Sequence, residues 1–339
     1  MHYCIADAPL PPALCYAGFM WSVRRSKPAC LACALWFLWA APALATQAVP
    51  AGADTQFFNT YRRSSPITQW PLKKTLHEIP ELAGLEPSTD QSRLPELLQR
   101  VSENLQDFVT KFANTTSLET IEETRKDKYW DKSEHVVRRF RYLMLAPQEG
   151  NNGTLTEYRT DLHGHEAPPH SPVGSFLATT GFASMPLFFG ALQQPWSDFR
   201  YLGQQSIDAR RAEVVAFAEH VDPVGVKGRF VIGDTSVPLL LQGVAWIHAS
   251  DYQILRMRTD LLAPQPGATL RRMTTVVLFA GINFEGGRTT LWLPEEVDVT
   301  VEAGNSTLVN RHRYSDYRLF KVEVSQPADE PGPPPGQQP

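Results

Sequence analysis

The chain has 339 residues, 42% of them hydrophobic and 20% charged, with 28 prolines against 21 glycines. That apolar content excludes a wholly disordered chain, and the low charge argues against a long coiled coil. With 32 Lys+Arg against 36 Asp+Glu and a formal net charge of -4, there is no basic excess of the kind a nucleic-acid binder concentrates on one face.

The N-terminus carries the clearest address. Arg24, Arg25 and Lys27 precede an uncharged apolar run that ends in Ala43-Leu44-Ala45 before Thr46. This is the order of a cleavable secretory signal, so residues 1–45 are expected to be removed, with Met20 an alternative start. The run from Pro28 to Ala45 is marginal for a bilayer span, and a retained membrane anchor over residues 28–45 is the competing reading. All four cysteines, Cys4, Cys15, Cys30 and Cys33, lie in this segment. The exported chain then has no disulfide partner and no thiol nucleophile. The expected compartment is a bacterial periplasm.

Residues 46–66 are polar and rich in small residues and read as a flexible lead-in to a single β-rich domain over 67–325. Apolar residues at 94, 97, 98, 101, 105, 108 and 112 have helical spacing and predict an amphipathic helix within 92–113. From Glu134 the period turns toward two. Strands are expected at 135–145, 155–159, 199–205, 211–218, 228–232, 242–248, 253–260, 270–279, 289–293, 296–302 and 308–324. Short connectors between them point to antiparallel hairpins. The fold class is therefore mainly β with flanking helices (α+β). The Pro-rich stretch 326–339 cannot bury apolar surface and is expected to be disordered.

One segment interrupts the strands. Residues 172–192 are uncharged and contain Phe176, Phe182, Met185, Phe188 and Phe189, while Gly181 and Pro186 break any straight helix. Two readings stay open: a buried core segment, or an apolar lid over a cavity.

Catalytic signatures are absent from the sequence. His163, His165, Glu166 and His170 could hold a metal, but Pro168 and Pro169 separate the last two histidines. A polar loop that happens to contain histidines explains them, and no metal or cofactor is expected. No nucleophile elbow, phosphate loop or dinucleotide fingerprint occurs. The acid pairs Asp298/Glu302 and Glu295/Glu296 read as surface carboxylates, and 311–318 as an exposed cross-strand ladder. An enzyme is not expected.

The strands at 244–261, 289–302 and 311–324 resemble, in order and pattern, exported bacterial proteins related to the outer-membrane lipoprotein-sorting (lipoprotein carrier) family. The resemblance implies a curled antiparallel sheet, or half-barrel, closed by helices. It also implies a carrier of a hydrophobic ligand, such as lipid or lipoprotein acyl chains, that performs no chemistry. Burial at about 25 cal/mol per Å² would hold such a ligand. The expected lining is Phe176, Phe182, Met185, Phe188 and Phe189 from the lid, with Trp246, Met257, Phe279 and Trp292 from the sheet. The alternative is a structural or regulatory periplasmic module with a filled interior that binds a protein partner, with envelope proteins as the partner class.

The small side chains at Ala43 and Ala45 predict Thr46 as the first residue of the exported protein. N-terminal sequencing that finds a start upstream of Arg24 would refute cleavage.

Overall fold

The computed structural model describes residues 2–5, 55–128, 133–146, 155–165, 181–222, 228–232, 235–284 and 289–320. The expected signal run, the Pro-rich tail and residues 171–180, including Phe176, lie outside these.

In chain order the elements are β1 (His2–Ile5), α1 (Thr55–Arg62), α2 (Leu72–Glu78), β2 (Glu86–Pro87) and α3 (Leu94–Lys111), then β3 (Thr115–Asp127), β4 (Ser133–Leu145) and β5 (Thr156–Thr160). After short 3₁₀ turns at Met185–Phe189 and Gln194–Trp196 come β6 (Ser197–Ile207), β7 (Arg210–Glu219), β8 (Gly228–Ile232), β9 (Thr235–Leu239) and β10 (Leu241–His248). They are followed by β11 (Ile254–Leu261), β12 (Leu270–Phe284), β13 (Thr289–Ala303) and β14 (Ser306–Leu319).

Eleven strands form one open antiparallel sheet in the order β2-β6-β7-β10-β11-β12-β13-β14-β3-β4-β5. Two meanders, β3–β5 and β6–β14, are joined where the last strand pairs with the first long one. The β8–β9 hairpin leaves this sheet and pairs with β1, parallel to β8. Removal of residues 1–45 would take β1 away from that hairpin.

Register assigns each side chain to a face, because successive residues alternate. One row runs Tyr201, Val215, Ala245, Met257, Val277, Val297, His312, Ile121, Arg138 across the paired strands. We call this the inner face. The outer face carries Val214, Trp246, Arg256, Leu278, Glu296 and Arg313.

Each face has its own cover. The 55–90 segment lies on the outer face of β6–β11: the Ile67 N–H donates to Gln242 Oε1 (2.7 Å), Arg258 pairs with Glu81 (2.8 Å), and Arg200 donates to the Trp70 carbonyl (2.6 Å). Residues 55–62, expected as part of a loose lead-in, are instead α1. Its Phe57, Phe58 and Tyr61 share one helical face and are buried, with the Tyr61 hydroxyl donating to the Pro238 carbonyl. The inner face is covered by α3 and by residues 181–196. α3 buries Leu97, Val101 and Leu105, as its spacing predicted.

Several strand predictions change; β1, β2 and β9 were not among those expected. Residues 289–302 form the single strand β13; a register shift opposite Leu278/Phe279 absorbs the extra residue beside Pro294, which lacks an amide donor. β3 was not expected at all. Its buried residues are Thr115, Ser117, Glu119, Ile121 and Glu123, a set polar but for Ile121 that carries no apolar alternation.

Backbones approach closely at two glycines. At Gly203, with φ +135°, a Cβ would lie 2.0 Å from the Glu86 carbonyl oxygen, and at Gly243 it would lie 1.9 Å from that of Arg258. Gly243→Ala should therefore destabilise the protein by about 1–3 kcal/mol, the usual range for overpacking. An unchanged urea midpoint would show that the β10–β11 crossing is looser than described.

Candidate functional site

The apolar half of the inner face is filled from within the chain. Phe182, Met185 and Phe189 are fully buried, and Phe188 is half-buried. The Phe189 ring lies 5.2 Å from Phe199 and 5.5 Å from Phe217, and Phe188 lies 5.6 Å from Phe217. Gln194 ties the far end of the segment down by donating to the carbonyls of Leu98 in α3 (3.0 Å) and Phe189 (2.7 Å). Between α3, Ala183, Pro186, Phe279 and Trp292 there is a cavity of about 20 Å³. That is room for about one water, far below the several hundred Å³ of a ligand pocket.

The expected lining residues divide. Phe182, Met185, Phe188, Phe189, Met257, Phe279 and Trp292 belong to this side, with Phe279 and Trp292 on the small cavity. Trp246 does not join them. It pairs with Arg256 while its neighbour Ala245 pairs with Met257, so its ring points to the outer face. There its Nε1 donates to Gln205 Oε1 (2.9 Å), and Gln205 in turn donates to the Glu81 and Ala83 carbonyls under the N-terminal cover. Phe176 lies outside the described residues.

Strands β14, β3, β4 and β5 make the other half of the inner face polar. Glu119 is wholly buried and accepts a two-pronged ion pair from Arg159, whose second contact is 2.7 Å. It also accepts from the Tyr314 hydroxyl (2.8 Å) and lies 2.9 Å from His312 Nδ1. Burial alone would raise the Glu119 pKa. The Arg159 charge and the bonds from His312 and Arg159 outweigh it and hold the carboxyl down at about 2. For His312 burial wins in the other direction: it pushes the imidazole below its ordinary value, and Glu119 only partly offsets this. Burial, then the neighbouring carboxylates, push the Tyr142 and Tyr314 phenols well up, so both are neutral donors.

Glu157 links this seam to the covering segment. Its carboxylate accepts from the backbone amides of Gly181 (2.9 Å), Ala183 (3.4 Å) and Ser184 (3.0 Å), from the Ser184 hydroxyl (2.6 Å), and from the Tyr142 hydroxyl. Phe182, between these donors, sets its ring edge-on to His312 at 5.1 Å. One side chain on the edge strand thus holds the start of the segment.

The other candidates resolve as local structure. Asp161 Oδ1 accepts from the amides of His163 and His165, making an exposed turn, and Asp161 Oδ2 lies 3.1 Å from His165 Nδ1. Glu166 and His170 lie outside the described residues, within which no three potential metal ligands come together. In the 311–318 stretch, Arg311 pairs with Asp298 (2.9 Å) and Arg313 with Glu122 (2.8 Å) on the outer face. His312 and Tyr314 alternate inward to the seam. Sequence reading took this stretch as one surface ladder. The missed signal was that its second and fourth residues face Ile121 and Glu119 across β3.

No family model and no curated protein matches the chain. Among solved structures it is similar to a putative outer membrane lipoprotein-sorting protein domain from Vibrio parahaemolyticus, at 12% identity over 67% of this chain and 94% of that one, TM-score 0.37. It is also similar to a DUF1329 family protein from Desulfovibrio piger (13%, 68% and 92%, TM-score 0.34) and to lipoprotein LppX of Mycobacterium tuberculosis (12%, 68% and 99%, TM-score 0.23). The first bears the name of the family that the sequence segments 244–261, 289–302 and 311–324 resemble.

The seam sets a pH dependence. With the folded pKa of His312 below its ordinary 6.5, the unfolded chain takes up that proton first, so stability falls as pH drops below about 6.5. Glu119, at about 2 against an ordinary 4.5, adds stability above about 4.5 that is lost as pH falls toward 2. His312→Gln keeps a donor for Glu119 and does not titrate. Its urea midpoint should vary less between pH 7 and 5 than that of the wild type, and parallel curves would place the His312 titration elsewhere.

Proposed function

We propose that this chain is an exported binder or carrier of a hydrophobic ligand, with residues 181–192 as a lid that occupies the inner face when no ligand is bound. No reacting group is assigned to it. The observation that carries the reading is the attachment of the lid. Among the described residues no strand pairing holds it; Glu157 grips one end and Gln194 the other, with apolar side-chain packing between.

The exchange is energetically feasible. Burying a Phe or Met side chain is worth about 1.5–3 kcal/mol, so Phe182, Met185 and Phe189 together contribute roughly 5–9 kcal/mol. An acyl chain of about twelve methylenes, at about 0.8 kcal/mol each, matches or exceeds that. A chain laid against Phe217, Met257 and Phe279 could therefore replace the lid. The periplasm, expected from residues 24–45, is the compartment in which a lipid needs such a shield from water.

A second reading is favoured by one observation. A cavity of about 20 Å³ beneath fully buried rings is what a filled scaffold would show. In that reading the chain binds a protein partner and the 181–192 segment never moves.

Stability alone does not separate the two readings, because both predict a loss of about 3–5 kcal/mol for Phe189→Ala. Ligand uptake does. Protein purified from its native host should carry lipid identifiable by mass spectrometry, and the delipidated protein should take up the fluorescent probe N-phenyl-1-naphthylamine. Absence of both would leave the filled scaffold.

A further inference from the structure

We propose that the cargo of the inner face has a hydrogen-bond-donating polar end, an amine, hydroxyl or amide, and that Glu157 receives it when the lid lifts. This rests on the carrier reading above and names the class of ligand that reading leaves open.

The inner face has two chemically different ends. Toward β6, β7, β11 and β12 it presents Phe199, Phe217, Met257 and Val277. Toward β14, β3, β4 and β5 it presents Glu119, Arg159, His312, Tyr142 and Glu157. A ligand lying across both is an amphiphile. Its chain meets the rings and its head meets the seam.

Charge and hydrogen bonding select the head. Glu119 is satisfied by groups of the sheet itself, and Glu123 faces Arg138 at 3.4 Å. Glu157 differs. Four of its five donors belong to residues 181–184, and only Tyr142 belongs to the sheet. Lifting the lid removes those four and leaves a half-buried carboxylate with a single partner. An acceptor left unmade in such a place is costly, and a cargo that donates restores what the lid supplied. An anionic head does the reverse. It would enter a region where three carboxylates (Glu119, Glu123, Glu157) face two guanidiniums (Arg138, Arg159). Free fatty acids and phosphate monoesters are therefore poor cargo, whereas amines, acylglycerols and N-acyl amides fit.

The experiment measures displacement of N-phenyl-1-naphthylamine from the full exported protein at pH 7.5 by three amphiphiles of equal chain length: dodecylamine, monododecanoylglycerol and dodecanoate. The amine and the glycerol ester should displace the probe at concentrations about tenfold below dodecanoate, the scale of one charge-assisted hydrogen bond. Glu157→Gln should bring amine and dodecanoate together. Ser184→Ala, which removes one lid donor and keeps the carboxylate, should tighten all three while preserving their order. Dodecanoate binding as well as the amine, or an order unchanged in Glu157→Gln, would overturn the head-group assignment while the carrier reading stands. Failure of the wild type to take up the probe at all would instead defeat the carrier reading, and this inference with it.

Discussion

The pairing of β14 with β3 is the constraint from which the rest of the inner face follows. It joins residues almost two hundred positions apart, Ser306 opposite Asp127 through Leu319 opposite Thr115. It turns two separate meanders into one sheet. It also sets Tyr314 against Glu119 and His312 against Ile121, so the polar seam exists only because this register is held. A slip of one residue would put Glu119 on the opposite face from His312 and Tyr314, and both would lose it as a partner.

The buried ion pair is by itself weak evidence of stability; what the cluster around Glu119 adds is a link between strands. Removing one member of such a pair costs about 3–5 kcal/mol, yet replacing the whole pair with apolar residues is often neutral or favourable. Glu119 draws on Arg159 from β5 and on His312 and Tyr314 from β14. Three strands must therefore be in step for one carboxylate to be satisfied. An apolar seam would tolerate several registers with similar energy, whereas this one tolerates one.

How much of this the sequence discloses depends on which residues carry the signal. α3 was legible because seven apolar positions repeat at helical spacing, and most strands because apolar and polar residues alternate. β3 was hidden because Thr115, Ser117, Glu119 and Glu123 face inward, which reverses the usual code for buried residues. α1 was hidden because Phe57, Phe58 and Tyr61 sit in an otherwise polar stretch. The covering segment was legible as an uncharged run, and its anchor was not. Glu157 is an ordinary acidic residue until pairing with β4 turns it inward. Trp246 failed for the same reason in reverse: an aromatic in a strand reveals its burial, but only register reveals its side.

The two covers of the sheet are attached in different ways, and the difference assigns them different parts. The 55–90 cover is bound along its length, by Ile67 to Gln242, by Glu81 to Arg258, by Trp70 to Arg200, and by Glu81 and Ala83 to Gln205. Lifting it would orphan polar groups on three strands, each at a cost of about 1–3 kcal/mol. The 181–192 cover is bound at its two ends, and what lies between is ring against ring. On the proposed reading an apolar ligand would replace that packing, and the hydrogen bonds at stake on opening are those at Glu157 and Gln194. On the proposed carrier reading the inner layer is the one that exchanges, and the terms are set by a single carboxylate on the sheet's edge strand.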